Sequence, residues 1–333
     1  MKKNIALLTG GYSEEYEISV KSGKVIASHL DQAVFNVYLI KVTSGQWSYC
    51  DENGTDYEVN LNNFSLDLPD GNVRFDAAFI GIHGTPGEDG KLQGYLDMMK
   101  VPYSTCGRVT SAITFNKYFC NEIAGRLNVN TANTFYLHKR DQINLKEIHD
   151  SIGLPCFVKP NSNGSSIGIS KVKSEDELLP AIREAFKVDD EVLVQEFIPG
   201  TEITCGIYEK KGELVILPLT QVISHKEWFD YEAKYTDGMA DEISPAPIDE
   251  VLAGKCRDLS ALLYRKLNCR GIVRIDYILT PETYIGGPLF FFLEVNTIPG
   301  LSEASIVPKQ AASVGISLKQ LFTDVLNETL ERH

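Results

Sequence analysis

Two segments near the C-terminus constrain the fold most, because polar and apolar residues alternate along the charged part of each. The segments are residues 271–279 and 289–296. Successive side chains of a β-strand point to opposite faces, so each segment predicts a strand with one polar and one apolar face. The loop that joins them is short, which makes the strands antiparallel neighbours. Four polar side chains are then expected to share one face of one sheet: Arg274, Asp276, Glu294 and Asn296.

Three of these side chains predict a metal site. Asp276, Glu294 and Asn296 carry the hard oxygen ligands that Mg²⁺ accepts alongside nucleotide phosphates. The alternative is a solvated sheet face with ordinary surface charges. The flanking apolar residues favour a central sheet, where unpaired carboxylates are costly, and therefore favour the metal site.

The first hundred residues alternate short apolar runs with helical patterns, which predicts an open α/β sheet. The predicted strands are residues 5–8, 37–42 and 77–82, and the predicted helices are residues 19–30 and 91–99. Ligands of such sheets bind beyond the carboxyl ends of the strands. Two glycine-containing loops follow predicted strands at that edge, residues 10–13 and residues 83–90.

The 333 residues exceed the usual size of one domain, about 150 residues, so we expect two or three units that share a site. The predicted units are residues 1–103, 104–195 and 196–333, with an α+β character in the C-terminal half. Further elements are predicted as a helix over 111–127, strands over 156–158 and 192–196, a polar loop over 224–247 and an amphipathic helix over 250–267.

Composition narrows the class of function. The 45 acidic and 32 basic residues give a net charge of −13, without the basic stripe of a nucleic-acid-binding protein. A nucleotide is still compatible, because it needs only a few local cations and backbone N–H groups. The seven cysteines are scattered and lack C-x-x-C spacing, which is typical of reduced, buried thiols. No apolar stretch approaches the ~20 residues that span a bilayer, so we expect a cytoplasmic protein without nucleic-acid or membrane partners.

Residues 157–168 predict a phosphate-binding segment. A strand leads to Lys159 and then to a loop rich in Gly and Ser, which offers N–H groups and hydroxyls to phosphate oxygens. The spacing is not that of the P-loop, and a plain hairpin is the alternative. Lys117, on the preceding predicted helix, is a weaker candidate, because an isolated helical lysine is usually solvated.

The loops after the first and last N-terminal strands hold further candidates. Gly10 and Gly11 lack the G-x-G-x-x-G spacing, which disfavours a dehydrogenase. Glu14, Glu15 and Glu17 cluster in the first of these loops, where one of them either pairs with a helix dipole or binds a substrate ammonium. His83 is either a capping residue or a neighbour of the substrate.

Six segments occur in an order that is specific as a set. They are Gly10-Gly11-x-Ser13-x-Glu15-x-x-x-Ser19-x-x-Ser22-Gly23, His83-Gly84-x-x-Gly87-Glu88-Asp89-Gly90-x-x-Gln93-Gly94, Lys159-Pro160 with Gly164-Ser165-Ser166-x-Gly168, Asp230-Tyr231-Glu232-Ala233-Lys234-Tyr235 with Pro245-Ala246, Arg274-Ile275-Asp276, and Glu294-Val295-Asn296-Thr297-x-Pro299-Gly300. Each alone is weak evidence, but together they resemble the D-alanine:D-alanine ligases of the ATP-grasp superfamily over most of the chain. The resemblance implies an N-terminal open α/β sheet unit and two further units that clamp ATP.

The resemblance also implies residue roles. ATP would be bound by Lys117, Lys159, Ser165, Ser166, Gln195, Glu196, Ile198, Glu202 and Lys234. The amino-acid substrates would be bound by Glu15, His83, Lys234 and Ser305. Catalysis would involve Glu15, Ser165, Tyr235, Arg274 and the N–H of Gly300, and the metal ligands would be Asp276, Glu294 and Asn296.

The implied reaction joins two D-alanines through an acyl phosphate for peptidoglycan precursor synthesis. It requires ATP and two Mg²⁺ ions, for which Mn²⁺ can substitute, and it is compatible with a monovalent cation and a homodimer. The alternatives are a D-alanine:D-lactate or other ATP-grasp amino-acid ligase, and an inactive ATP-binding regulator. Tyr235 favours the dipeptide ligase, and an intact Arg274 argues against the regulator.

Several positions depart from the usual residues of the family: Tyr16, Asn116, Gln195, Leu301, Ser302 and Ile306. None of these changes removes a charge that the chemistry needs. They leave the preference for the second substrate and the affinity for the nucleotide open.

Overall fold

The computed structural model describes residues 2–164, 167–224 and 240–332. In these ranges the chain forms three β-sheets with helices packed against them, which confirms the predicted α/β class. Among the described residues, no helix combines the length and the apolar character needed to cross a membrane.

The first sheet uses the first eighty residues. Its strands are β1 (Lys3–Gly10), β2 (Phe35–Val42), β3 (Trp47–Cys50), β4 (Asp56–Asn60), β5 (Ser65–Leu68), β6 (Gly71–Arg74) and β7 (Ala77–Ile80), in the order β6-β5-β4-β3-β2-β1-β7. β1 is parallel to β2 and β7, and its residues 5–8 are wholly buried because both faces of this strand are covered. The helices α1 (Tyr16–His29) and α2 (Lys91–Met99) complete the predicted elements. The antiparallel strands β3 to β6 were not predicted.

One predicted helix is wrong. Residues 111–127 do not form a single helix but belong to α3 (Arg108–Phe115) and α4 (Lys117–Arg126). Asn116 separates them with an extended backbone, φ −86° and ψ 103°, and its side chain accepts a hydrogen bond from Phe119 N. Asparagine is a preferred N-cap, so a new helix begins with Lys117 in its first turn.

The second sheet is antiparallel and has a core of its own. After β8 (Asn130–Thr131) come β9 (Thr134–His138), α5 (Leu145–Ile152), β10 (Cys156–Pro160), β11 (Ser170–Val172), α6 (Glu175–Ala185) and β12 (Glu191–Glu196), with strand order β11-β10-β12-β9. The two helices pack on this sheet around Ile148, Val158 and Ile182. Both strands predicted here are confirmed.

The third sheet carries the charged strands. Its elements are β13 (Thr201–Lys210), β14 (Glu213–Ile216), β15 (Thr220–Ser224), β16 (Ala240–Ile243), α7 (Glu250–Lys266), β17 (Val273–Leu279), β18 (Phe290–Asn296), α8 (Ile306–Ser313) and α9 (Leu318–Glu331). The strand order is β16-β15-β13-β17-β18-β8, with β14 beside β13. The amphipathic helix is confirmed as α7. The prediction of a polar loop over 224–247 is wrong at residues 240–243, which form β16. Residues 225–239 lie outside the described ranges.

The first and third sheets are joined by a common core. Leu7 and Phe79 of the first sheet pack with Leu301, Val307 and Phe322, which come from the loop after β18, α8 and α9. This shared core brings the carboxyl edge of the first sheet beside β18.

The seven cysteines are free thiols. Six are buried, as predicted, whereas Cys50 at the end of β3 is exposed, contrary to the prediction.

Candidate active site

The polar face of β17 and β18 forms a charged floor. Arg274 lies opposite Asn296 and Asp276 opposite Glu294, so the predicted antiparallel pairing is confirmed. Arg274 donates from Nε to Asp276 Oδ1 at 2.9 Å and from Nη2 to Asp276 Oδ2 at 2.8 Å. Asn296 Nδ2 also donates to Asp276 Oδ2 at 2.8 Å. Asp276 is only 2% exposed, which excludes the solvated-face alternative for this residue.

The neighbouring carboxylates stabilise the positive charge of Arg274. Burial disfavours the charged guanidinium, but Asp276, Glu294 and Glu202 outweigh that effect and raise the pKa of Arg274 above its ordinary value. Arg274 therefore presents a permanent positive charge on the floor.

The three predicted metal ligands fit a hard divalent cation. Two carboxylates and one amide share this face, and Asn296 uses its NH₂ group on Asp276, which leaves its carbonyl oxygen for a cation. Within the described ranges, no group of three or more His, Cys, Asp and Glu side chains is arranged to hold a metal. A cation on this floor would therefore complete its ligands with phosphate and water oxygens, as Mg²⁺ usually does.

Two lysines lie beside the floor. Lys117 Nζ lies 3.8 Å from Glu294 Oε2 and donates to the carbonyl oxygen of Asn163 at 2.5 Å. Lys159, on β10, is buried and donates to Gln195 Oε1 at 2.6 Å. Burial and the charge of Lys117 lower the pKa of Lys159 to about 8, although Glu294 acts in the opposite direction. Lys117 thus pairs with Glu294, and the charge of the same carboxylate also acts on Lys159.

The residues predicted to face the nucleotide continue from Lys159 along the chain. Gln195, on β12, contacts Lys159 through its side chain, and Glu196 Oε1 accepts from the backbone N of Asn133 at 2.8 Å. Ile198 follows β12 and is half-buried. Glu202 lies on β13, the neighbour of β17, and acts electrostatically on the floor.

Glu15 lies where the N-terminal loops meet the glycine-rich loop after β10. A Cβ atom added to Gly164 would lie 2.7 Å from Glu15 Oε2, and one added to Gly84 would lie 3.0 Å from it. The carboxylate is therefore in close contact with both loops. Ser13 and Glu15 also line a cavity of about 410 Å³ at this junction.

Both ring nitrogens of His83 are engaged. Nε2 lies 2.9 Å from Ser22 Oγ, and Nδ1 lies 2.9 Å from the carbonyl oxygen of Ile298. A carbonyl oxygen only accepts, so Nδ1 carries the proton and Nε2 accepts from Ser22. Burial lowers the pKa of His83 and so favours the neutral ring. The negative charge of Glu15 acts in the opposite direction. His83 links α1 to the loop after β18 and responds to the charge of Glu15.

Sequence reasoning did not assign a role to Glu88. Its Oε2 accepts from Gly84 N at 2.9 Å, and its Oε1 accepts from Ile298 N at 3.1 Å. Burial raises the pKa of Glu88 to about 8, and the negative charges of Glu15 and Glu294 add to the effect. The motif after His83 pointed to this region, but it did not indicate a partner 210 residues away.

The loop after β18 holds the predicted oxyanion donor and the predicted ligand of the second carboxylate. A Cβ atom on Gly300 would lie 2.7 Å from Ser305 Oγ, and Ser302 Oγ lies 2.7 Å from the same hydroxyl. Leu301 is buried in the core shared with the first sheet, and Ile306 begins α8. Gly300 and Ser305 are thus brought together at the start of α8.

Four predicted site residues, Ser165, Ser166, Lys234 and Tyr235, lie outside the described residues.

The chain matches known proteins along nearly its whole length. The family models described as D-ala D-ala ligase N-terminus and C-terminus match residues 4–106 and 124–327. A D-alanine–D-alanine ligase from Azobacteroides pseudotrichonymphae is 45% identical over 325 residues, which cover 97% of this chain and 99% of the relative. The solved structure of D-alanyl-alanine synthetase A from Vibrio cholerae has a TM-score of 0.88 at 29% identity and covers 99% of both chains. The VanG D-Ala:D-Ser ligase from Enterococcus faecalis has a TM-score of 0.86 at 28% identity, over 98% of this chain and 99% of the other.

Proposed function

The chain belongs to the D-alanine–D-alanine ligase family, and we propose from this premise that it uses ATP to join two D-alanines into D-alanyl-D-alanine for peptidoglycan precursors. The observation that carries the proposal is the charged floor of β17 and β18. There Arg274, Asp276 and Glu294 share one face, and Lys117 lies 3.8 Å from Glu294.

The first step activates a carboxylate, which is a poor electrophile. A carboxylate oxygen of the first D-alanine attacks the γ-phosphorus of ATP, the bond from that phosphorus to the ADP oxygen breaks, and D-alanyl phosphate forms. Negative charge spreads over the phosphoryl oxygens, and Lys117 and Lys159 would stabilise it. The ion pair of Lys117 with Glu294 and the electrostatic effect of Glu294 on Lys159 support this assignment.

Asp276, Glu294 and Asn296 would hold two Mg²⁺ ions, or Mn²⁺ in their place, and bound metal supplies charge neutralisation to the β- and γ-phosphates. Arg274 and Asn296 fix Asp276 through hydrogen bonds, so the ligands keep their arrangement before the nucleotide arrives.

The second step forms the peptide bond. The amine of the second D-alanine attacks the acyl carbon, phosphate leaves with the electrons of its bond, and the amine loses a proton. Arg274 and the N–H of Gly300 would stabilise the oxyanion of the tetrahedral intermediate. The permanent charge of Arg274 supports its part in this step.

The two amino acids would be oriented by their charged ends. Glu15 would bind the ammonium of the first D-alanine, beside His83, and Ser305 would bind the carboxylate of the second. Ser165 and Tyr235 would complete a hydrogen-bonded set with Glu15, and Lys234 would contact the nucleotide and substrate. The contacts of Glu15 with Gly84 and Gly164 support a site at this junction.

The nucleotide would lie along the second and third sheets. Ser166 would cover the phosphates, the stretch Gln195, Glu196 and Ile198 would face the adenine, and Glu202 would bind the ribose. We propose a central unit, residues 104–195, that clamps ATP against residues 196–333, with residues 1–103 on the amino-acid side. The separate core of the second sheet supports this unit for residues 137–194, whereas Cys106, Cys120 and Ala124 pack in the core of the third sheet. We further propose a cytoplasmic homodimer, with a monovalent cation as a candidate activator.

A second candidate differs only in the second substrate. The likeness to a D-Ala:D-Ser ligase favours testing other acceptors beside D-alanine and D-lactate. The purified protein, ATP and Mg²⁺ are incubated with D-alanine alone, with added D-serine or D-lactate, or with L-alanine, and the products are identified by mass. D-Alanine-dependent formation of the dipeptide supports the proposal. Preferential formation of a mixed product establishes the second candidate, and binding of ATP without any turnover contradicts both.

A further inference from the structure

We propose that Glu88 is a positioning residue that, together with His83, holds the peptide of Ile298 and thereby sets the positions of Asn296 and Gly300. This inference rests on the proposed ligase function, because it assigns Glu88 an effect on the proposed oxyanion and metal sites.

The peptide groups of Ile298 are held on both sides by one loop of the N-terminal unit. Glu88 Oε1 accepts from Ile298 N at 3.1 Å, and His83 Nδ1 donates to the Ile298 carbonyl oxygen at 2.9 Å. The second carboxylate oxygen of Glu88 accepts from Gly84 N at 2.9 Å, which ties the carboxylate to its own loop. A donor and an acceptor on a single residue fix its orientation as well as its place.

Ile298 lies midway between two proposed functional groups. Asn296 precedes it by two residues and contacts Asp276, and the N–H of Gly300 follows two residues later. The Ile298 side chain is 3% exposed and packs with the core of the first sheet. A shift of this peptide would therefore move both groups, and a misplacement of about 1 Å can reduce a rate roughly 100-fold.

The same hydrogen bonds extend to the proposed ammonium site. The backbone N of His83 donates to Ser19 Oγ at 2.9 Å, and Ser19 Oγ donates to the carbonyl oxygen of Glu15 at 3.1 Å. The ring of His83 also contacts Ser22 on α1. Glu15 and the loop with Gly300 are thus held in one hydrogen-bonded frame, in which the carboxyl group of Glu88 joins the two sides.

A direct substrate role for Glu88 predicts a different result. A carboxylate that binds the substrate ammonium affects the KM for D-alanine, because it contributes to ground-state binding. A carboxylate that positions an oxyanion donor affects kcat, because the oxyanion forms only in the transition state.

The test compares Glu88→Gln and Glu88→Ala with Asp97→Asn as matched control. Gln keeps one acceptor for two N–H donors and Ala keeps none. Asp97 is exposed on α2, and its hydrogen bonds go to Tyr103 and Arg108. The measurements are kcat and KM for D-alanine, the affinity for ADP without Mg²⁺, and the affinity for a phosphinate mimic of the tetrahedral intermediate.

We expect kcat to fall roughly 10-fold for Glu88→Gln and roughly 100-fold for Glu88→Ala. The phosphinate should lose affinity in parallel, whereas the affinity for ADP without Mg²⁺ and the kinetics of the Asp97→Asn control should stay within about twofold. Unchanged kcat, or a rise only in the KM for D-alanine, overturns the inference. An equal loss of ADP and phosphinate affinity, which indicates a general structural defect, also overturns it. Failure of the unaltered protein to respond to D-alanine instead contradicts the proposed function itself.

Discussion

Lys159 Nζ donates a 2.6 Å hydrogen bond to Gln195 Oε1, so the buried ammonium faces a neutral amide at this contact. Gln195 Nε2 donates in turn to Thr134 Oγ1 at 2.9 Å, which directs the amide oxygen toward Lys159. A neutral partner stabilises a buried cation less than a carboxylate does.

The first prediction concerns the pH dependence of ATP binding. The pKa of Lys159 is lowered to about 8, so the free protein loses this proton as the pH rises through that value. ATP phosphates favour the protonated lysine, so the KM for ATP should be constant below the pKa and rise about tenfold per pH unit above it. Steady-state kinetics from about pH 6.5 to about pH 9.5, on both sides of this pKa, locate the break, which is the pH at which the KM for ATP begins to rise. A KM that stays flat across this range contradicts the assignment of Lys159.

The second prediction is that Gln195→Glu raises the pH at which the KM for ATP begins to increase. A carboxylate beside Lys159 favours the charged ammonium, so its pKa should rise by at least about one unit. The KM for ATP of the variant should then stay low to a correspondingly higher pH. Gln320→Glu, on the exposed face of α9, adds the same charge at the protein surface and should leave the pH dependence of the KM for ATP unchanged. An unmoved break in Gln195→Glu counts against the Lys159–Gln195 contact.

The third prediction tests the junction around Glu15. A Cβ atom on Gly164 would lie 2.7 Å from Glu15 Oε2, so Gly164→Ala must displace the carboxylate or the loop. We expect kcat/KM for D-alanine to fall roughly tenfold or more. Gly94→Ala, on α2 with open space at its Cβ position, is the matched control and should retain activity. An equal kcat/KM for D-alanine in the two variants would contradict a role for the position of the Glu15 carboxylate in the reaction.

The fourth prediction concerns Arg274. Arg274→Lys keeps the positive charge but loses the two-pronged hold on Asp276, so kcat should fall roughly 100-fold. Arg257→Ala removes an arginine that pairs with Glu250 on α7, and its kcat should stay within about twofold. A fully active Arg274→Lys variant would refute the proposed oxyanion role.

The convergence of Asp276, Glu294 and Asn296 was predictable because strand periodicity is a local signal and a short loop makes adjacent strands pair. The break between α3 and α4 was missed because the apolar pattern continues across Asn116, whose capping hydrogen bond is a matter of backbone geometry. The Glu88–Ile298 contact joins residues 210 positions apart and depends on how two sheets pack, which local patterns do not encode. The resemblance to a family indicated the site residues more fully than periodicity did, although it did not include Glu88.

The most direct test of the proposed chemistry follows an oxygen atom. D-Alanine labelled with ¹⁸O in its carboxylate is supplied with unlabelled ATP, and the released phosphate is analysed by mass spectrometry. Attack of the carboxylate on the γ-phosphorus, followed by loss of phosphate from the acyl carbon, transfers one ¹⁸O to each phosphate. One ¹⁸O per phosphate, with the dipeptide as co-product, is the predicted result. Unlabelled phosphate formed together with the dipeptide would contradict the acyl-phosphate mechanism.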